Sequence, residues 1–125
     1  MDEGGVNQGR PVREVRFVGS SREDLKAFPG RARRRSGFDL ETVQRGQTPS
    51  RAKVLSGFGG GGVQEIVADA EGGTYRVVYV VRLVRAVYVL HAFQKKSTSG
   101  IKTSRRDMEL IRRRLEEAEE MDRNG

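Results

Sequence analysis

The sequence predicts an α+β domain, an antiparallel sheet with helices packed on one face, in the order β-α-α-β-β-β-α. Three observations carry that reading. Between Val63 and Gln94, runs rich in Val and Tyr alternate in strand fashion and are broken by hairpin-sized joints. After Ser104, the residues Met108, Ile111, Leu115 and Ala118 recur at three- and four-residue steps, the apolar stripe of a helix. The chain has 125 residues, 35% of them hydrophobic, which is room for one small core.

Each element has a local reason. Residues 1–10 are Gly-rich and polar and read as a disordered leader, residues 11–120 as a single domain and residues 121–125 as a flexible tail. Val12 to Val18 alternates as a short strand with mixed faces. Ser20-Ser21-Arg22-Glu23 has the form of a capping box, opening a short helix that runs to Phe28 and is ended by Pro29. A second helix covers Arg31 to Arg45, with Ala32, Leu40 and Val43 inward and Gly46 as its stop. Gly46 to Gly62 reads as a loop. Strands follow over Val63 to Ala68, Thr74 to Arg82 and Ala86 to Gln94, joined by Gly72-Gly73 and by Leu83 to Arg85. Lys95 to Lys102 is a polar loop, and Ser104-Arg105-Arg106-Asp107 opens the last helix as another capping pattern.

The charge is distributed unevenly. Lys and Arg number 24 against 17 Asp and Glu, a net +7. From Gly72 to Arg106 there is no acid, while Arg76, Arg82, Arg85, Lys95, Lys96, Lys102, Arg105 and Arg106 all fall in that stretch, with His91. The acids return as Asp107, Glu109, Glu116, Glu117, Glu119, Glu120 and Asp122. A second basic block, Arg31, Arg33, Arg34 and Arg35, is either a solvated helix face or part of the same field. A positive field over a sheet is what a polyanion-binding surface requires.

The same composition excludes several chemistries. The absence of Cys removes cysteine nucleophiles, disulfide frameworks and Cys-based metal centres, and one His cannot build a multi-histidine site within one subunit. No metal and no cofactor is therefore expected. No apolar segment at the N-terminus resembles a signal peptide, and Val77 to Phe93 is too short and too charged to span a bilayer. The expectation is a soluble cytoplasmic protein with no membrane partner. Gly57, Gly59 and Gly62 spell G-x-G-x-x-G, but they neither follow a clear strand nor open a helix, so backbone freedom explains them better than a dinucleotide.

Within Thr74-Tyr75-Arg76-Val77-Val78-Tyr79, the residues Tyr75, Val77 and Tyr79 share a face and Arg76 points opposite. An arginine so placed needs an anion or solvent. Lys53, in the preceding loop, can reach the same region, and His91, Phe93 and Lys95 share a face of their own strand. His91 is either a satisfied sheet histidine or a member of this cluster. A cationic site of this kind suits RNA, which carries its own nucleophile: the 2′-hydroxyl attacks the adjacent phosphorus while Arg and Lys stabilise the added charge. The same cluster also suits binding without cleavage.

Three segments together, Ala52-Lys53-Val54-Leu55-Ser56-Gly57-Phe58-Gly59, Thr74 to Tyr79, and Val89-Leu90-His91-Ala92-Phe93-Gln94-Lys95-Lys96-Ser97, resemble the phage-derived Gp49-like branch of the HigB toxins. That branch belongs to the RelE/ParE superfamily of type II toxin–antitoxin systems. The resemblance covers roughly residues 13 to 118. It implies a RelE-like fold and a ribosome-dependent, metal-independent endoribonuclease that cleaves mRNA in the ribosomal A site. It further implies a HigA-like helix-turn-helix antitoxin, through which alone operator DNA is bound. By the motif match, Arg76 corresponds to the strand arginine that contacts the scissile phosphate, Lys53 to a basic loop residue, and Lys95 and Lys96 to the basic strand end. His91 joins the catalytic candidates on chemistry, and Arg82, Arg85, Lys102, Arg105 and Arg106 join Lys96 as nucleic-acid contacts. Some relatives carry a Tyr or His near the C-terminus, whereas residues 104–122 here have neither, so the proton-transfer residue stays open. Two alternatives share the fold: a ParE-like gyrase inhibitor and a non-catalytic nucleic-acid-binding regulator.

Overall fold

The computed structural model describes residues 12–59, 62–95 and 103–125. The chain runs β1 (Val15–Phe17), α1 (Ser21–Lys26), α2 (Gly30–Gln44), β2 (Lys53–Val54), β3 (Val63–Ala70), β4 (Gly73–Val80), β5 (Val87–Lys95) and α3 (Arg105–Asn124). The α+β class holds, with one five-stranded sheet in the order β1-β5-β4-β3-β2. The sheet is antiparallel except at one edge, where β1 lies parallel to β5. A hairpin forces antiparallel pairing, and β1 is joined to β5 by no hairpin.

The helices pack on both faces, not on one as the sequence suggests. Leu25 and Phe28, with Ala32, Leu40 and Val43 of α2, bury against Ile66, Val77, Tyr79 and Val89. On the opposite face, Ile111 and Ala118 of α3 bury against Val63, Val78, Val80, Tyr88 and Leu90. The reason is in the strands: Val77, Val78, Tyr79 and Val80 are apolar at both parities, and a strand buried on both sides needs cover on both sides.

Three further expectations change. The segment read as a loop up to Gly62 contains the edge strand β2, whose Lys53 and Val54 pair with Glu65 and Gln64. Ser20 occupies the N-cap of α1, but its hydroxyl donates to the Asp24 carboxylate at 2.8 Å, so no capping box forms. Residues 121–124, where a tail is expected, continue α3. Asp122 accepts hydrogen bonds from Val84 N and Arg85 N at 3.0 and 2.7 Å, a long-range tie that no local pattern announces. The expected leader, residues 1–10, lies outside the described residues. The second capping expectation is met: Ser104 accepts from Asp107 N at 3.1 Å and donates to its carboxylate at 2.7 Å.

One irregularity positions the site. Val78 pairs with His91 but Tyr79 pairs with Val89, so Leu90 is an extra residue, a bulge in β5. Tyr88 faces α3 ahead of the bulge, and at the bulge Leu90 and His91 face it in succession.

Candidate functional site

Cross-strand register places the cationic residues together. On the face that α3 covers, Lys53, Glu65, Val78 and His91 form one row across β2, β3, β4 and β5. The next row holds Val67, Arg76 and Phe93, and a third holds Asp69, Thr74 and Lys95. Rows on one face stand roughly 7 Å apart along a strand. The four catalytic candidates Arg76, Lys53, His91 and Lys95 therefore share one surface. Helix α3 begins beside this surface and leads away from it.

Arg76 is buried and has an unexpected partner. Its Nη1 lies 2.9 Å from Glu65 Oε2, with side chains 9% and 6% exposed. The angle is poor for a hydrogen bond, so Nε and Nη1 of Arg76 and Oε1 of Glu65 still lack hydrogen-bonding partners. Two charges are thus neutralised at close range while their directional bonding capacity stays unused. His91 is fixed from the other side: Nε2 lies 2.8 Å from Asp107 Oδ1, and its ring stacks on Phe93 with centroids 4.5 Å apart. Nδ1 has no partner.

Lys95 is the most perturbed member. Its ammonium nitrogen is enclosed and makes no hydrogen bond. Burial chiefly, then the Arg76 guanidinium, lowers its pKa from the ordinary lysine value, with Lys53 adding to this and Glu65 opposing it. Lys53 itself is exposed and stands where two clefts meet. One, of about 470 Å³, is lined by Arg51, Lys53, Asp69, Thr74 and Arg76 among others. The other, of about 420 Å³, runs along Leu55 to Gly57 to Glu65, Thr103 and Met108. Gly57 has a φ of +98° and sits so close to Met108 that a Cβ would come within 3.1 Å of its methyl, which explains glycine there. Arg112 of α3 donates to Gly57 O at 3.2 Å and lies over the Phe58 ring, tying this wall to the helix.

The expected nucleic-acid contacts separate. Arg82 lies past the far end of β4 and pairs with Glu119 at 2.6 Å; Arg85 donates from Nε to Asp122 O at 2.5 Å. Six residues along a strand put Arg82 roughly 20 Å from Arg76, so neither arginine joins the Arg76 cluster. Arg105 and Arg106 are exposed in the first turn of α3, Arg105 with Glu109 at 3.6 Å. Lys96 and Lys102 lie outside the described residues. Sequence reasoning missed Glu65 and Asp107. Extending the two strands from the Gly72 turn, with Ala70 opposite Gly73, puts Glu65 opposite Val78 and diagonal to Arg76, so that signal was present. Among the described residues, no group of three or more His, Cys, Asp or Glu side chains is placed to hold a metal ion, and no helix is long and apolar enough to cross a membrane.

Comparison with known proteins gives three findings. The family model described as phage-derived protein Gp49-like matches residues 23–116. No curated protein matches the chain in sequence. Among solved structures, a mutant of the E. coli toxin RelE in the free state superimposes with a TM-score of 0.52 at 14% identity, over 86% of this chain and 98% of that one. The toxin–antitoxin complex RelBE2 from Mycobacterium tuberculosis gives 0.45 at 22% identity, over 73% and 99%. The first likeness shows the fold, that of a RelE toxin.

Proposed function

The chain belongs to the phage-derived Gp49-like family, and on that premise we propose that it is the toxin of a toxin–antitoxin pair, a metal-independent endoribonuclease that cleaves mRNA on the ribosome. Lys95 carries the reading. An enclosed ammonium without a hydrogen-bonding partner, beside a second buried cation, is costly to maintain. A phosphodiester in the adjoining cleft would supply the missing acceptor and opposite charge.

In the proposed step, the phosphate displaces Glu65 from Arg76. The 2′-hydroxyl oxygen attacks the adjacent phosphorus and its proton passes to the freed Glu65 carboxylate. The bond from phosphorus to the 5′ oxygen breaks, and Lys95 gives that oxygen its proton. The products are a 2′,3′-cyclic phosphate and a 5′-hydroxyl. Arg76 and Lys53 stabilise the charge that grows on the phosphoryl oxygens. His91 acts as a positioning residue: its bond to Asp107 fastens the start of α3 to the sheet, and its stack on Phe93 shapes the wall beside Arg76.

A HigA-like helix-turn-helix antitoxin is proposed as the neutralising partner, and the cytoplasm as the place of action. The test is purified protein added to translating ribosomes, with mRNA ends mapped. Cuts within the ribosomal A site are expected; mRNA left intact overturns the reading. Intact mRNA with loss of gyrase supercoiling would put the ParE-like alternative in its place, and salt-dependent binding with neither effect would leave a regulator. Rescue of growth by a co-expressed helix-turn-helix protein from the neighbouring gene tests the pairing.

A further inference from the structure

The basic block at the start of α2 plays no part in the mechanism above, yet it borders a cleft of its own. This cleft, of about 530 Å³, is lined by Arg31 and Arg35 of α2, Arg51 of the following loop, and Ala68, Asp69 and Ala70 of β3. The two alanines keep its floor low. Arg51 and Asp69 also line the Arg76 cleft, so the two depressions are neighbours across the sheet edge. Asp69 is the one acid on either lining, and Arg51 Nη1 bonds it at 2.9 Å; Arg35 Nε in turn lies 3.3 Å from the carboxylate of the buried Asp39 behind it on the helix.

The helix adds an aromatic. Arg31, Arg35 and Phe38 are spaced by four and three residues and form one stripe. Phe38 is 62% exposed, with the Arg35 guanidinium 5.6 Å from its ring centroid. The first turn of α2 holds no acid although the helix dipole favours one there, and Arg31 works against it. A local rule broken in this way, with an exposed aromatic beside it, marks a surface shaped for something other than stability. Cations along a groove with an aromatic platform are the elements of single-strand recognition: guanidinium groups take phosphates and the ring takes a base.

We propose that Arg31, Arg35, Arg51 and Phe38 form a second single-stranded RNA subsite that holds the strand as it leaves the Arg76 cleft. The inference rests on the RNA substrate proposed above. Binding is measured with a long oligoribonucleotide methylated at every 2′-oxygen, which has no hydroxyl to attack and so reports binding alone, and with a dinucleotide too short to fill both clefts. Arg31→Ala/Arg35→Ala, shown by thermal unfolding to be folded, should weaken the long probe about tenfold and lower the salt slope by about 1.4, two phosphate contacts' worth. Phe38→Ala should weaken it at least about fivefold, with Phe38→Tyr restoring it. Dinucleotide binding should not change in any of them. Wild-type affinity for the long probe in these variants, or an equal loss with the dinucleotide, overturns the subsite. So does a loss seen only for a polyglutamate peptide, which would assign the cleft to an acidic protein segment. Cleavage is scored separately. Its failure in the wild type would remove the nuclease reading, while dependence of the methylated probe on Arg31 and Arg35 would leave the subsite standing.

Discussion

Helix α3 spans the sheet from one cationic region to another, and the two ends treat arginine in opposite ways. At its C-terminal end, Arg82 meets Glu119 and Arg85 meets the Asp122 carbonyl, while Asp122 also binds the backbone of the β4–β5 turn and the Tyr88 hydroxyl. Arg13 closes the same turn by donating to three carbonyls, of Val81, Leu83 and Ala86. Arg82 and Arg85 are exposed, Arg13 is half-buried, and all three are well bonded. At the N-terminal end, Arg76 and Glu65 are buried, Lys95 is half-buried with its ammonium nitrogen enclosed, and all three are poorly bonded. The difference teaches that net charge does not locate a site; unmet hydrogen-bonding capacity under burial does.

Substitutions can break this contrast. Arg76→Ala carries the largest expected effect. Cleavage should fall by about two to three orders of magnitude with the loss of a phosphate-stabilising donor. Stability should fall by about 3–5 kcal/mol in urea unfolding, because Glu65 is left buried and uncompensated. Arg76→Ala/Glu65→Gln should recover most of that stability and none of the activity. A wild-type unfolding midpoint for the single variant would deny the ion pair its structural role.

Next comes Lys95→Ala, which should lower single-turnover cleavage about a hundredfold, as expected for a lost proton donor, without lowering the unfolding midpoint. Its pH signature has a definite sign. The folded-state pKa of Lys95 lies below the ordinary lysine value, so the folded state is penalised while the amine is protonated in both states. Stability therefore rises as pH climbs through the lowered pKa toward the ordinary one. Wild type should show that alkaline gain relative to Lys95→Ala, and parallel pH–stability curves would refute it.

The smallest effect belongs to the far end. Asp122→Ala should lower Tm and leave cleavage at the wild-type rate. The Val84 N–H above all, then the Arg85 N–H and Tyr88 hydroxyl, hold the Asp122 carboxyl below the ordinary aspartate value. Its stabilisation is then full above the ordinary aspartate range and lost as pH falls through the lowered pKa. An acid titration followed by circular dichroism should bring wild type and Asp122→Ala together at the low end. A variant that cuts mRNA more slowly would instead tie this end to catalysis.

What could be read from the sequence follows the range of each signal. Alternation within β4 put Arg76 opposite Tyr75, Val77 and Tyr79, and the same rule grouped His91, Phe93 and Lys95, because side-chain parity is a property of one strand. Glu65 and Asp107 escaped because each enters from a neighbouring element, and counting charges along one stretch of chain does not see across a sheet. The acid-free run from Gly72 to Arg106 is real as sequence, but its face receives two carboxylates from β3, Glu65 and Asp69, and another from α3. The same count groups Arg82 and Arg85 with the site, because their partners lie 37 residues further on. The single-face expectation for the helices conflicts with the sequence itself, since unbroken apolar runs in β4 and β5 ask for two covers.

The extra residue Leu90 gives β5 a reading frame. Ahead of it, even-numbered side chains look toward α3; behind it, odd-numbered ones do. Deleting Leu90 would return β5 to strict alternation and leave His91, Phe93 and Lys95 on the α3 side, opposite the same partners. Beyond His91 there is no such slack: removing a residue there would turn Gln94 to the cleft and Lys95 into the apolar layer beneath α1 and α2. Point changes along this strand alter one contact at a time, whereas a change in length past the bulge rewrites the far end of the site.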